Sequence, residues 1–105
     1  MLTFIELQGF SKQRQALLPD DEFRAFQELL IDTPAAGDII IGTGGFRKIR
    51  WGRQGMGKRG GVRVIYYSLA QKGRIYLALI YPKNEQDELT EEQRKALKQL
   101  SDRLA

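Results

Sequence analysis

Residues 46–83 read FRKIRWGRQGMGKRGGVRVIYYSLAQKGRIYLALIYPK, and this stretch decides the fold. It contains three apolar-rich runs, at residues 46–51, 62–69 and 75–81, separated by glycine-rich or polar segments. β-Branched and aromatic residues dominate all three runs, and each run has the length of a strand. The stretch therefore predicts a three-stranded meander.

Cations recur at corresponding places on these predicted strands. Lys48 and Arg50 share a parity in the first run, so they lie on one face of the sheet. Arg63 comes early in the second run, and Lys83 comes just after the third. Charges on a sheet face are costly unless they are solvated or paired. We therefore predict that these four side chains converge on an anionic ligand.

The composition favours an anionic partner as well. The chain has 105 residues, which predicts one compact domain over residues 1–105, and it carries a formal net charge of +4. A basic excess of this size favours RNA, DNA or an acidic protein as partner, and a solvated basic surface is the alternative.

Two residue types are missing from the sequence. It contains no cysteine and no histidine. Disulfides, a thiolate metal site, a cysteine nucleophile and imidazole acid–base chemistry are thereby excluded, and a zinc site is disfavoured. We expect no metal site and no cofactor. With no signal-peptide pattern and no apolar run of membrane-spanning length, the expected location is the cytoplasm, without membrane contact.

The flanking segments predict helices around the meander. Residues 2–7 alternate like a strand that ends at Gly9, and Ser11 is expected to cap a helix through residue 18. Asp20 or Asp21 caps a second helix over residues 21–31. Residues 39–41 form either a short strand or a packed loop, and a capping box at residues 90–93 opens the last helix.

This order, β-α-α-β-β-β-α, predicts an α+β domain with a largely antiparallel sheet. The two consecutive helices return the chain to its starting end. The second strand is therefore expected to run antiparallel to the first.

The glycine-rich segment inside the meander matches a nucleotide-binding pattern only superficially. Residues 55–60, GMGKRG, fit G-x-G-x-x-G. The dinucleotide fingerprint must open a helix, whereas a strand follows here, so the segment is read as a hairpin loop. Its glycines let the backbone approach a polyanion closely, which makes Arg53, Lys58 and Arg59 candidates for contacts to RNA or the ribosome.

Three segments, GTGGFRKIRW, GKRGGVRVIYYSL and RIYLALIYPKNEQDEL, resemble the RelE/HigB-type toxins of bacterial type II toxin–antitoxin systems, within the RelE/ParE superfamily. The resemblance covers nearly the whole chain, including the order of elements, and implies a small RelE-like domain. It implies a toxin that enters the ribosomal A site, cuts messenger RNA there and so inhibits translation. It further implies neutralisation by a helix-turn-helix antitoxin, with operator DNA bound only through the toxin–antitoxin complex.

The resemblance also assigns site positions. The family's cations correspond to Lys48, Arg50, Arg63 and Lys83. The family prototype has a tyrosine shortly after the last of these, and Leu89 stands at that position here. The role of that tyrosine is therefore vacant, or it is filled by another group such as Tyr81 acting as an acid or a stacking surface.

Metal-independent RNA cleavage uses the adjacent 2′-hydroxyl as nucleophile. It needs a base for that hydroxyl, cations for the charge that develops on phosphorus, and an acid for the leaving 5′-oxygen. Lys48 is the candidate base, because neighbouring positive charges disfavour the protonated form of a lysine. Arg50 and Arg63 are the candidate charge stabilisers, and Lys83 either positions the phosphate or serves as the acid.

Two other functions remain open for this sequence. A ParE-like toxin would inhibit DNA gyrase by binding and would cut no RNA. A non-catalytic RNA- or protein-binding module is the third reading, and the missing tyrosine is its best support. The cationic cluster on the sheet argues against the gyrase inhibitor.

Overall fold

The structure, a computed structural model, describes residues 2–52, 61–86 and 88–105. Its elements in chain order are β1 (Thr3–Glu6), α1 (Gln8–Leu17), α2 (Asp20–Asp32), β2 (Asp38–Ile39), β3 (Arg47–Trp51), β4 (Val62–Leu69), β5 (Arg74–Pro82) and α3 (Glu91–Leu104). The predicted α+β class and the small RelE-like architecture are confirmed. Residues 39–41 were predicted to form a short strand or a packed loop. The structure shows the two-residue strand Asp38–Ile39, which begins one residue before the predicted segment.

The described strands form one sheet in the order β1-β5-β4-β3-β2. The meander β3-β4-β5 is antiparallel, as predicted, and β2 pairs antiparallel with the outer edge of β3. β1 lies at the opposite edge and pairs parallel with β5, so it runs in the same direction as β3. The prediction that the first and second main strands are antiparallel is therefore wrong. The chain crosses the whole width of the sheet through α1 and α2, and such a crossover permits parallel strands.

The start of α1 differs from the prediction. The helix begins at Gln8, and Ser11 does not cap it; the Ser11 hydroxyl donates to the Glu6 carboxylate at 3.0 Å instead. Gly9 lies inside the helix, where an added Cβ would be only 2.9 Å from Leu79 Cδ2. The glycine that suggested the end of a strand therefore allows α1 to approach β5 closely.

The other helix starts were predicted more accurately. α2 begins after Pro19, which is its N-cap without a side-chain bond, so neither Asp20 nor Asp21 caps it; both lie in its first turn, where acidic side chains complement the helix dipole. The predicted capping box of α3 is present. The Gln93 N–H donates to Thr90 Oγ1 at 3.1 Å, and the Thr90 N–H donates to Gln93 Oε1 at 2.9 Å.

Both faces of the sheet are covered. The first core cluster joins the sheet to α1 and α2 and consists of Phe10, Leu18, Phe23, Phe26, Leu30, Val62, Val64, Tyr66, Ile75, Leu77 and Ile80. The second cluster lies on the α3 side and consists of Phe46, Ile65, Tyr67, Leu69, Tyr76, Ala78, Tyr81, Leu89 and Leu97. Ile49 and Trp51 pack against the first cluster. Because side chains alternate along a strand, Lys48 and Arg50 face the α3 side.

Tyr66 fixes the segment between α2 and β2 to the sheet. Its hydroxyl donates to the Pro34 carbonyl at 2.9 Å and accepts from the Gly37 N–H at 2.8 Å. Burial raises the pKa of the Tyr66 phenol, which keeps the hydroxyl protonated as a donor. This contact sets the position of Asp38, the next residue, at the start of β2.

The turn between β2 and β3 fits against α3 through Gly44. Both Gly42 and Gly44 have positive φ, of 85° and 75°. An added Cβ at Gly44 would collide with the Ser101 side chain on α3, whereas a Cβ at Gly42 meets nothing within 4 Å. We expect Gly44→Ala to lower the free energy of unfolding by about 2–4 kcal/mol and Gly42→Ala by about 1–2 kcal/mol. Chemical denaturation measures both losses, and equal values would show that α3 accommodates the methyl group.

Candidate active site

The strand register brings the predicted cations of β3 and β4 together. Arg50 lies directly opposite Arg63, and Lys48 lies two residue pairs further along, on the same face of the sheet. On the other side of β3, Asp38 is the cross-strand partner of Lys48. Side chains paired in this way have Cβ atoms about 4.5–5.5 Å apart, so Arg50 is an immediate neighbour of Arg63, and Lys48 of Asp38.

The arginine pair brings two like charges together across β3 and β4. Like charges directly opposite on neighbouring strands destabilise a sheet. Arg63 is only 4% exposed, whereas the Arg50 side chain is open to solvent. An anion between the two guanidinium groups would offset their repulsion and accept bidentate hydrogen bonds from either fork.

These residues line an open cleft of about 400 Å³. Its lining residues are Asp38, Lys48, Arg50, Arg63 and Glu88. Three formal positive charges face two formal negative charges, so the cleft is net cationic. Its volume exceeds the roughly 30 Å³ share of one water molecule more than tenfold, so it can take a group of many atoms.

Sequence reasoning missed both carboxylates of the cleft. No role was assigned to either residue from the sequence, yet Asp38 lies on β2 and Glu88 reaches the cleft from the segment before α3. For Asp38, the signal was available in principle, because a strand at residues 39–41 would have paired with β3. For Glu88, no local signal existed, since its position depends on how α3 docks on the sheet.

Among the described residues, the other predicted site positions are not part of the cleft lining. Lys83 is exposed, its backbone N–H donates to the Gly61 carbonyl at 3.2 Å, and its side chain is not among the lining residues. Tyr81 is the β5 neighbour of Arg63 in the same cross-strand row, but it is only 6% exposed. Leu89 is 8% exposed and belongs to the second core cluster. The loop cations Arg53, Lys58 and Arg59 lie outside the described residues.

Two further observations concern metals and membranes. Within residues 2–52, 61–86 and 88–105, acidic side chains do not assemble into any group of three or more that could bind a metal ion. In the same part of the chain, the helices are too short or too polar to cross a membrane.

The described fold is a small α+β domain whose largely antiparallel sheet carries a cationic cleft. Comparison with known families makes the class specific: residues 34–105 match the family described as the RelE toxin of the RelE/RelB toxin–antitoxin system. The match covers more than half of the chain and includes β2 to β5, α3 and the whole cleft. The chain therefore belongs to the RelE toxin family, as its sequence motifs indicated.

Proposed function

We propose that this toxin is a ribosome-dependent endoribonuclease that cuts messenger RNA in the ribosomal A site, as its HigB-like segments suggest. The observation that carries the proposal is the cleft in which Lys48, Arg50 and Arg63 meet. A sheet that served only as a scaffold would gain nothing from two opposed arginines, whereas a phosphodiester would bind between them.

The reaction is transesterification by the RNA's own 2′-hydroxyl. The oxygen attacks phosphorus in line, the 5′-oxygen leaves, and the product is a 2′,3′-cyclic phosphate or its opened form. Arg50 and Arg63 neutralise the charge that develops on the non-bridging oxygens, which is the term that contributes most in such sites. Lys48 lines the same cleft and exchanges a proton with one of the reacting oxygens.

Lys83 acts from outside the cleft in this proposal. Its exposed position after β5 suits a contact to the phosphate backbone next to the scissile bond. It positions the message, or it donates a proton to the leaving oxygen once RNA is bound. Tyr81 is buried, so its contribution is to support Arg63 from the neighbouring strand rather than to stack on a base.

The proposed partners are the ribosome, the message and a cognate antitoxin. The antitoxin carries a helix-turn-helix domain, and operator DNA is bound only through the complex. The toxin works in the cytoplasm, where its ribosomal target is, and needs no cofactor.

Mapping of new messenger 5′ ends after incubation with translating ribosomes tests the function. New ends within the A-site codon support the proposal. Intact messages with inhibited DNA supercoiling would instead identify a ParE-like gyrase inhibitor. Ribosome binding with neither effect would identify a non-catalytic module.

Removal of the loop charges tests how the toxin engages the ribosome. We expect the triple variant Arg53→Ala, Lys58→Ala, Arg59→Ala to bind ribosomes more weakly and with a flatter dependence on salt. Binding releases counterions at each phosphate contact that forms. Each contact that is lost therefore reduces the magnitude of the slope of log K against log salt by roughly 0.7–0.9. Equilibrium binding at several salt concentrations measures that slope.

A matched triple variant at exposed cations elsewhere provides the control: Lys12→Ala, Arg24→Ala, Lys72→Ala. Both variants lose three charges, so they change the net charge of the protein equally. Identical slopes for the two variants would assign Arg53, Lys58 and Arg59 to ordinary solvated surface.

A further inference from the structure

Leu89 stands where the family prototype has a tyrosine, and the residue before it, Glu88, offers a different titratable group at the cleft. The Leu89 side chain is buried in the second core cluster, so the preceding residue, Glu88, is directed to the cleft and lines it. We propose that Glu88 is the general base that takes the proton from the RNA 2′-hydroxyl, and that Lys48 is the acid that protonates the leaving 5′-oxygen. This assignment rests on the proposed ribonuclease function and reverses the role that the sequence suggested for Lys48.

Hydrogen bonds hold the backbone that carries Glu88. Gln86 Nε2 donates to the Glu88 carbonyl at 3.0 Å and to Gln93 Oε1 at 2.6 Å. Gln93 belongs to the capping box with Thr90, so the segment is tied to the first turn of α3. The Glu88 backbone is therefore held by the Gln86 hydrogen bond and by the buried Leu89 that follows it. A catalytic group needs such a support to keep its geometry.

Ordinary protonation states favour this division of roles. A glutamate is normally ionised at neutral pH and accepts a proton directly, whereas a lysine is normally protonated and is ready to donate one. Among the described residues, the charged groups that line the cleft with Glu88 are Lys48 and Arg50 from β3, Arg63 from β4 and Asp38 from β2. Glu88 comes from the segment before α3 and Lys48 from β3, so the base and the acid reach the scissile phosphate from different elements.

The proton balance of the step is complete. The 2′-O–H proton passes to the Glu88 carboxylate while the 2′-oxygen forms its bond to phosphorus. The bond between phosphorus and the 5′-oxygen breaks, and that oxygen takes a proton from the Lys48 ammonium. The products are a 2′,3′-cyclic phosphate and a free 5′-hydroxyl. Exchange with solvent then returns the proton from Glu88 and reprotonates Lys48.

A message with sulfur in place of the scissile 5′-oxygen separates the acid from the base. A thiol is a far stronger acid than an alcohol, so a thiolate leaves without protonation. We expect Glu88→Gln and Lys48→Gln each to slow cleavage of the natural message on ribosomes by about a hundredfold or more. The sulfur message should restore the rate of Lys48→Gln to near that of the parent on the same message. It should leave Glu88→Gln slow.

Two further variants control for charge and for general effects. Asp38→Asn removes the same charge from the same cleft, so it changes the rate through electrostatics but should keep the acid limb of the pH–rate profile. Glu88→Gln should lose that limb. Glu85→Gln alters an exposed glutamate of the preceding turn, outside the cleft lining, and should cleave like the parent.

The outcomes distinguish this assignment from the proposed function. A parent protein that cuts no message overturns both. If the parent cuts and Glu88→Gln cuts nearly as fast, only the role of Glu88 is overturned. Rescue of Glu88→Gln by the sulfur message, with Lys48→Gln left slow, would exchange the two roles and also overturn the assignment.

Discussion

Arg63→Ala should reduce ribosome-dependent cleavage of messenger RNA by roughly a hundredfold to a thousandfold, because the guanidinium acts on charge that develops only in the transition state. Its place in the structure supports a large effect. Arg63 lines the cleft, is 4% exposed and lies opposite Arg50 on the neighbouring strand. A preorganised charge in a site with little water is worth more than the same charge on an open surface.

The measurement must separate catalysis from folding, because removal of a buried side chain also changes packing. Single-turnover cleavage on saturating programmed ribosomes gives the rate, and chemical denaturation of each variant shows that it is folded under those conditions. Arg63→Lys is the informative companion. It keeps the charge and most of the volume but loses the planar fork, so we expect only partial recovery of activity.

Arg74→Ala is the matched control for that variant. Arg74 begins β5, is exposed, and donates to the Tyr76 hydroxyl at 3.3 Å, away from the cleft lining. It should cleave at close to the parental rate. If folded Arg63→Ala also cleaves at the parental rate, the cleft is not the active site.

The central sheet was predictable because the pattern of apolar and charged residues within each strand determines which face each side chain lies on. The alternation of Lys48 and Arg50 with Ile49 and Trp51 fixes the face of each side chain, and the structure places them as the parity requires. Strands that follow one another in the chain usually pair as neighbours, so the cations of β3 and β4 were expected on adjacent strands. The capping box at Thr90 was also predictable, because the whole motif lies within one turn of helix.

The errors concern contacts that are distant in sequence. Ser11 is a residue type that often caps helices. In the structure α1 begins three residues earlier, at Gln8, where it packs closely against β5. The direction of β1 depends on which edge of the sheet it joins, and no residue of β1 encodes that choice. Glu88 enters the cleft only because α3 and Leu89 dock on the sheet, so its proximity to Lys48 is a tertiary property.

A message that lacks a free 2′-hydroxyl at the scissile nucleotide should bind and stay intact. The cleft residues favour this outcome. Three cations, Lys48, Arg50 and Arg63, repel a divalent ion, and the described lining offers only two carboxylates to attract one. An attacking water would therefore lack the metal that usually activates it. The RNA's own hydroxyl, which the message itself holds next to the phosphorus, is therefore the nucleophile that we propose.

The experiment changes the substrate and leaves the magnesium that ribosomes need in place. A 2′-deoxy or 2′-methoxy group at the scissile nucleotide should abolish cleavage, whereas the same group one nucleotide downstream should leave it nearly unchanged. The two substitutions complement each other, because the deoxy group removes the nucleophile without added bulk and the methoxy group blocks it while keeping the oxygen. Toxin binding to each programmed ribosome, measured in parallel, shows that the modified message still occupies the site. Cleavage of the blocked message at the natural rate would mean that water or a protein group attacks phosphorus. Neither Lys48 nor Glu88 would then have to accept a proton from a 2′-hydroxyl.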